Sequence, residues 1–267
     1  MHTKKYALCI EYDGTGFMGW QRLKHGPSVQ ENVEKALSKI ADHPVTVFCS
    51  GRTDSGVHAF GQIVHFETTA TRPDHAWLLG GNANLDDRIS IQWVHAVDAS
   101  FHARFCAEYR RYRYIILNTS SRPAIQRNQV SWIKKPLNAH HMDKAVQALV
   151  GAHDFSSFRA SGCQAKGPDR IIHEANWRRR GNYVYLDIVA NGFLHHMVRN
   201  IVGSSLLVGN NEQSTSWLAD LLALKDRTQA AATASAKGLY FINAGYPAKF
   251  GLPDAKNADQ ILWPDPG

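Results

Sequence analysis

Cys49-Ser50-Gly51-Arg52-Thr53-Asp54-Ser55-Gly56-Val57-His58-Ala59 stands between two runs that read as β-strands. Upstream, Pro44-Val45-Thr46-Val47-Phe48-Cys49 is β-branched and apolar; downstream, Gly61 to Thr68 sets Val64 and Phe66 between polar neighbours, the alternation of a strand. A tight hairpin closes with about two to five residues. A longer link carrying two glycines, an arginine and one carboxylate is therefore a loop with room for chemistry. On residue type alone, Asp54 and Ser55 serve equally well as turn formers that bond back to nearby backbone.

The flanking sequence sets this loop in a repeated pattern. Lys4 to Tyr12 alternates, with Tyr6, Leu8, Ile10 and Tyr12 on one face and Lys5, Ala7, Cys9 and Glu11 on the other. Asp13 to Arg22 is glycine-rich but lacks the glycine, lysine and serine order of a phosphate-binding loop, so its glycines read as tight turns around Phe17 and Trp20. Ser28-Val29-Gln30-Glu31 is a capping box ahead of a helix ending near Ala41. A shorter helix follows Pro73-Asp74 and is expected to stop at Gly80-Gly81; Ile89 to Val97 alternates as a strand.

The second half runs in the same order. Phe105 to Leu117 reads as a long strand, Asn138 caps a helix, and Ile171–Trp177 and Tyr183–Ala190 read as strands joined around Arg180-Gly181-Asn182. Phe193 to Val202 reads as a helix stripe, Trp217 to Leu224 as a further helix and Leu239 to Asn243 as a strand. The expected class is α+β: two split βαβ halves, ferredoxin- or RRM-like, with a mixed, mainly antiparallel sheet continuous across a central cleft. The expected division is residues 1–104, carrying the Asp54 loop, residues 105–250, and a tail of residues 251–267.

Composition narrows the function. The chain has 267 residues, 44% hydrophobic and 20% charged, enough to bury a substantial core in one large or two modest domains. No stretch is apolar and long enough to span a bilayer, and Glu11 and Asp13 follow Met1 too soon for a signal peptide, so a cytoplasmic protein is expected. Cys9, Cys49, Cys106 and Cys163 are scattered singly, without zinc-site spacing; three fall in apparent strands and are expected to be reduced and buried. The 30 Lys and Arg against 23 Asp and Glu give a net charge of +7, which suits a polyanionic partner.

Two further stretches bear chemistry. In Arg110-Arg111-Tyr112-Arg113-Tyr114, alternation puts Tyr112 and Tyr114 on one face with Arg110, and Arg111 with Arg113 on the other. Arginine beside aromatic rings on a sheet suits stacked bases and held phosphates, or a solvated edge beside packed tyrosines. Arg199 falls at the edge of the helix stripe beside His195 and Val202, where a cation seeks a carboxylate or phosphate or extends over its aliphatic stem. His195-His196 and His140-His141 are adjacent, about 100° apart on a helix, and match no metal-ligand spacing, so no metal is expected. Serine and cysteine nucleophiles lack an elbow motif.

Taken with Glu11-Tyr12-Asp13-Gly14, Gly19-Trp20-Gln21-Arg22, Phe101-His102-Ala103-Arg104, Arg111 to Tyr114, Asp154 to Arg159, His195 to Asn200 and Gly238-Leu239-Tyr240, the run from Gly51 to Phe66 closely resembles the tRNA pseudouridine synthase A family. The likeness covers the chain from about Tyr6 to Pro247. It implies conversion of uridine to pseudouridine at positions 38 to 40 of the tRNA anticodon arm, by a homodimer that needs no cofactor or metal. By motif it implies Asp54 as the catalytic aspartate, Tyr112 as the active-site tyrosine and Arg199 as the aspartate's partner. It further implies Leu239 as an apolar contact to the target base and Arg52 as the arginine linked to base flipping. Arg22, Arg111, Arg113 and Arg159 complete the expected tRNA contacts. Ser55 stands where the family more often has alanine.

Two other readings use the same residues. In a non-catalytic RNA-binding module, Arg110 to Tyr114 forms a stacking sheet and the Asp54 loop is structural. In a glycosidase or nuclease, Asp54 releases a base or cuts a strand.

Overall fold

The computed structural model describes residues 3–253, so most of the expected tail, from residue 254 on, lies outside the described residues. These divide into two compact units, one running to Glu108 and resuming at Phe241, the other spanning Tyr109–Tyr240. The first unit thus extends past the expected division at residue 104, and residues 241–253 belong to it as well. Packing explains the return: the Tyr246 hydroxyl donates to the Ala103 carbonyl at 2.6 Å, and the Phe250 ring meets Phe101 edge-on at 5.1 Å.

The first unit contains β1 (Lys4–Tyr12), α1 (Val29–Ala41), β2 (Phe48–Cys49), β3 (His58–Thr68), α2 (Asp74–Asn84) and β4 (Ile89–Val97). The strand order β4-β1-β3, with β2 beside β3 and every pairing antiparallel, is that of a split βαβ unit. One sheet face buries Tyr6, Leu8 and Phe66 against Trp77 of α2, and the three aromatic rings pack at centroid distances of 5.1 to 5.7 Å. The other buries Ala7, Cys9 and Ile63 under Phe101, Ala103 and Phe250. Covering both faces gives a small sheet the core that one face would not supply.

Ser28 caps α1, accepting the Glu31 N–H at 3.3 Å. Two expectations change here. The strand before the Asp54 loop shrinks to Phe48–Cys49, because the Val45 and Val47 N–H groups donate to Ser38 Oγ and Glu34 Oε1 on α1 rather than to a neighbouring strand. Helix α2 does not stop at Gly80-Gly81 but runs through to Asn84. Those glycines serve packing: a Cβ on Gly81 would run into Ile91, and one on Gly80 would touch Ile40 at 3.4 Å.

The second unit contains β5 (Tyr109–Asn118), β6 (Ser131–Ile133), α3 (Ala139–Val146), β7 (Gly151–Asp154), β8 (Asp169–Arg180), β9 (Tyr183–Ala190), α4 (Met197–Gly209) and α5 (Trp217–Leu224). β10 (Leu239–Gly245) begins in this unit and ends in the first, where it lies beside β3. The order β5-β9-β8-β7 is antiparallel, and β6 joins β5 in parallel. The α+β class therefore stands, with β6 and β7 as strands too short for periodicity to reveal.

Two element starts are later than the alternation predicts. β5 begins at Tyr109, because His102 Nδ1 accepts the Arg104 N–H at 3.1 Å and the Cys106 N–H returns to the His102 carbonyl at 2.9 Å, turning the chain. α4 begins at Met197 because His196 sits at φ 61°, in the left-handed region, so a turn closed by the Met197 N–H on the Leu194 carbonyl precedes the helix. Arg199 consequently lies in the first turn of α4, and His195 is not its neighbour on a helix face. The cysteines also differ: all four are free, but only Cys9 is fully buried, and Cys106 and Cys163 lie outside strands. Among the described residues, no helix is long and apolar enough to cross a membrane.

Candidate active site

Residues 50–57 carry Asp54 between β2 and β3. Fixing an extended loop costs roughly 1–2 kcal/mol of backbone entropy per residue, so its restraints matter. At the entry, the Ser50 N–H donates to the Ile63 carbonyl at 2.8 Å, Ser50 Oγ donates to Gln62 Oε1, and Gln62 Nε2 donates to the Gly51 carbonyl at 2.6 Å. At the exit, the Val57 N–H returns to the Asp54 carbonyl at 3.2 Å, and Gly56 takes φ 76°. Asp54 sits at the head of that turn, half-buried.

The second restraint is the glycine-rich segment after β1. The Trp20 N–H donates to the Thr53 carbonyl at 3.0 Å, Ser55 Oγ donates to the Phe17 carbonyl at 3.0 Å, and the Tyr12 hydroxyl lies 2.7 Å from Thr53 Oγ1. Gly19, at φ 100°, comes so close that a Cβ there would stand 2.7 Å from the Thr53 carbonyl oxygen and 3.1 Å from the Asp54 carbonyl carbon. Gly14 lies against the Val57 carbonyl with no room for a side chain. The glycines read as turn formers are thus spacers that let one backbone brace another. Phe17 and Trp20 anchor the segment by burial.

His58 closes the assembly. Its Nδ1 lies 3.1 Å from the Gly14 nitrogen and 3.0 Å from Asp13 Oδ1. Asp13 is held below the usual carboxylate range: burial opposes this, but the Thr15 hydroxyl and N–H, 2.6 and 2.9 Å from Oδ1, and His58 outweigh it. Tyr12 is pushed above the usual phenol range by burial, against its bond to Thr53. Burial also drives the Cys49 thiol up to about 12 despite the Arg52 and Arg104 cations, which removes it as a nucleophile at neutral pH. Asp54 remains the loop's carboxylate.

The other expected residues are distributed as follows. Arg52 is exposed on the loop; Arg22 is largely exposed and pairs with the buried Glu34 at 3.0 Å. In the second unit, Tyr112 is buried on β5 with the Phe193 ring against it edge-on at 5.1 Å. Arg199 Nε donates to the Ala234 carbonyl at 2.8 Å, while the Ala234 N–H donates to the Arg199 carbonyl at 3.1 Å, so this residue fixes the approach to β10. Leu239, the first residue of β10, is buried. Arg111 pairs with Glu174 at 3.4 Å near the surface.

Arg113 and Arg159 are engaged differently from the sequence expectation of open cations. In register, Arg113 faces Asp187 on β9; Nε and a terminal nitrogen donate to the two carboxylate oxygens at 2.7 and 2.8 Å, both residues are buried, and the guanidinium lies 5.0 Å from the Tyr185 centroid. Alternation assigned its face correctly, but only the register reveals the acid opposite it. Arg159 donates to the Cys163 and Ala165 carbonyls at 3.1 and 2.7 Å, closing the loop between β7 and β8. The bracing residues Tyr12, Thr53, Ser50 and Gln62 had no role assigned from sequence; a polar Gln62 in phase with Val64 and Phe66 on one strand face was the available signal.

The family described as tRNA pseudouridine synthase matches residues 8–106 and 145–247. Similar proteins include "tRNA pseudouridine synthase A" of Escherichia fergusonii and of Shigella boydii, each 57% identical over 249 residues that cover 93% of this chain and 92% of the relative. The protein of that name from Shewanella baltica is also 57% identical over 249 residues, covering 93% and 95%. The matched residues take in the Asp54 loop, the glycine-rich segment that braces it, and both Arg199 and Leu239.

Proposed function

The chain belongs to the tRNA pseudouridine synthase family, and from that premise we propose that it isomerises uridine at positions 38 to 40 of the tRNA anticodon arm through Asp54. It is an isomerase that acts on tRNA, converting uridine to pseudouridine. The observation that carries the assignment to Asp54 is the double restraint of its loop, by Gln62 and Ser50 on one side and by Trp20, Phe17 and Gly19 on the other.

The reaction breaks the C1′–N1 bond, turns the uracil and joins C1′ to C5; the C5 proton leaves and N1 gains one, so atoms balance without oxidant or reductant. Asp54 attacks as a carboxylate and departs again, a reversible step that a more stable serine ester would hinder. Arg199 pairs with that carboxylate and aims it. Tyr112 stacks on the uracil and receives the C5 proton, directly or through water. Leu239 lies against the base, which keeps the detached uracil from escaping. Arg52 stabilises the flipped-out nucleotide, whose unstacking costs a few kcal/mol.

Arg22 and Arg111 supply positive surface for the phosphate backbone, and Arg159 shapes that surface by closing the loop between β7 and β8. Arg113, paired with Asp187, acts instead by stiffening the strand that carries Tyr112. The working protein is a homodimer in the cytoplasm. Incubation with unmodified tRNA, followed by carbodiimide modification and reverse transcription, tests the positions: stops at 38, 39 or 40 are expected. Stops confined to another arm would overturn the regional assignment. A cut strand or a released uracil would favour the nuclease or glycosidase reading. The non-catalytic module is disfavoured by membership of a family of isomerases.

A further inference from the structure

The first unit carries a second constellation that the reaction does not use. On the sheet face away from α1 and α2, a cavity of about 410 Å³ is lined by Lys5, Thr46, Phe48, His65, Glu67 and His102. Its volume lies within the range of small-ligand sites. Four rings meet there. Phe48 stacks on His65 at 5.1 Å and 21°, His102 packs against His65 at 4.5 Å, and Phe105 lies over His102 at 4.3 Å and 31°. Phe48 also reaches His102 at 5.7 Å.

The outer members of this group are open. Phe48 is 50% exposed and Phe105 75%. Leaving two large rings in water forgoes the gain of burying them, so the patch calls for a partner. The rings are also held in place: Phe48 sits on β2 paired with His65 on β3, and His65 Nδ1 accepts the Ala103 N–H at 3.1 Å. A platform already immobilised loses little entropy when a flat ligand settles on it.

The charges around it suit a nucleic acid. The Arg104 guanidinium lies 5.7 Å from the Phe105 centroid and near enough to Cys49, next to Phe48, to act on its thiol. Lys5 is occupied with the Ala99 and Phe101 carbonyls and with Glu67, so the patch is positive on the arginine side. Burial holds both imidazoles below their usual range, with His65 at about 4, so the rings at the base of the platform are uncharged at neutral pH.

We propose that Phe48 and Phe105, over His65 and His102, form a stacking site for an unpaired nucleobase of the tRNA other than the uridine being isomerised. Arg104 would meet the phosphate beside that base. The site rests on the reading of the chain as a tRNA enzyme, and adds to it a contact that selects and orients tRNA before any bond changes. A base continues the stack from the exposed face of Phe48, and stacking of this kind tolerates any base because each has a π-face.

The test uses the full-length enzyme with Phe48→Ala, Phe105→Ala, Phe48→Leu and Phe48→Trp, each checked for a wild-type melting profile. Steady-state kinetics on unmodified tRNA would show KM raised about tenfold by either alanine variant, with kcat within twofold. Phe48→Trp should restore KM and Phe48→Leu should not, because leucine replaces the apolar volume but not the π-face. A tRNA transcript carrying 5-iodouridine in its unpaired positions should photo-crosslink to a peptide containing Phe48 or Phe105. Unchanged KM in both alanine variants, or rescue by leucine as good as by tryptophan, would overturn the proposal. So would a loss of dimer by light scattering with no change in tRNA affinity, which would make the patch a protein interface. Absence of pseudouridine with the wild-type enzyme would instead count against the tRNA reading itself.

Discussion

The Trp20 N–H donates to the Thr53 carbonyl oxygen at 3.0 Å, one residue before Asp54, and Gly19 at φ 100° makes that approach possible. Two segments 33 residues apart in sequence are thereby joined backbone to backbone. Gly19→Ala would place a methyl group 2.7 Å from the Thr53 oxygen and also strain φ. We expect kcat to fall on the order of a hundredfold, since about 1 Å of misplacement at a reacting group costs that much. Gly181→Ala is the control: it also has positive φ, at 55°, but no heavy atom lies within 4 Å. It should leave kcat unchanged and cost stability only. Equal kinetic losses in the two variants would show that the Gly19 contact has no special bearing on Asp54.

The Arg113–Asp187 pair gives a stability prediction. Asp187→Ala leaves a buried guanidinium without its bidentate acceptor. Urea unfolding should show a loss of about 3–5 kcal/mol. The double replacement Arg113→Met with Asp187→Leu should recover much of it, because no uncompensated charge remains.

His65 predicts an acid limit. Burial first, then the charges of His102 and Lys5, bring its folded pKa to about 4 from an unfolded value near 6.5. Below 6.5 the unfolded chain binds more protons than the folded one. The contribution is therefore complete above pH 6.5 and is lost as pH falls toward 4. Thermal melts across that window should show stability declining with acidification. In His65→Asn, whose amide oxygen can still accept the Ala103 N–H, the slope should be shallower. An identical slope would assign the acid sensitivity to other groups.

Salt gives a fourth check. A chain of net charge +7 acting on a polyanion displaces counterions on binding. Raising monovalent salt from roughly 50 to 200 mM should lower kcat/KM on the order of tenfold or more, with kcat nearly constant. Excess EDTA should not abolish turnover, provided the tRNA has been folded beforehand.

Much of this was legible in the chain. Alternation located β1, β4, β8 and β9, and Ser28 and Asn138 marked helix starts because their side chains cap the first turn. The misreadings have two causes: a distant group decided a local conformation, or the backbone took a turn that periodicity does not show. Glu34 on α1 takes the Val47 N–H and shortens β2, whereas His196 adopts a left-handed conformation that delays α4. Asp54 was legible as a candidate, but the braces that hold it were not, because Tyr12, Trp20 and Gln62 reach it only through the fold. Arg113 looked like an open cation until β9 supplied its acid.

On the proposed mechanism, Asp54 performs the chemistry while other residues hold the tRNA. That division is tested most directly by pairing wild type with Asp54→Asn, measuring tRNA affinity by filter binding and pseudouridine at positions 38 to 40 by carbodiimide mapping of the same reactions. Asparagine keeps the size and the turn bonding of aspartate but cannot act as a reversible carboxylate nucleophile. The variant should bind tRNA within a few-fold of wild type and make no pseudouridine. Substantial pseudouridine from Asp54→Asn would contradict the mechanism.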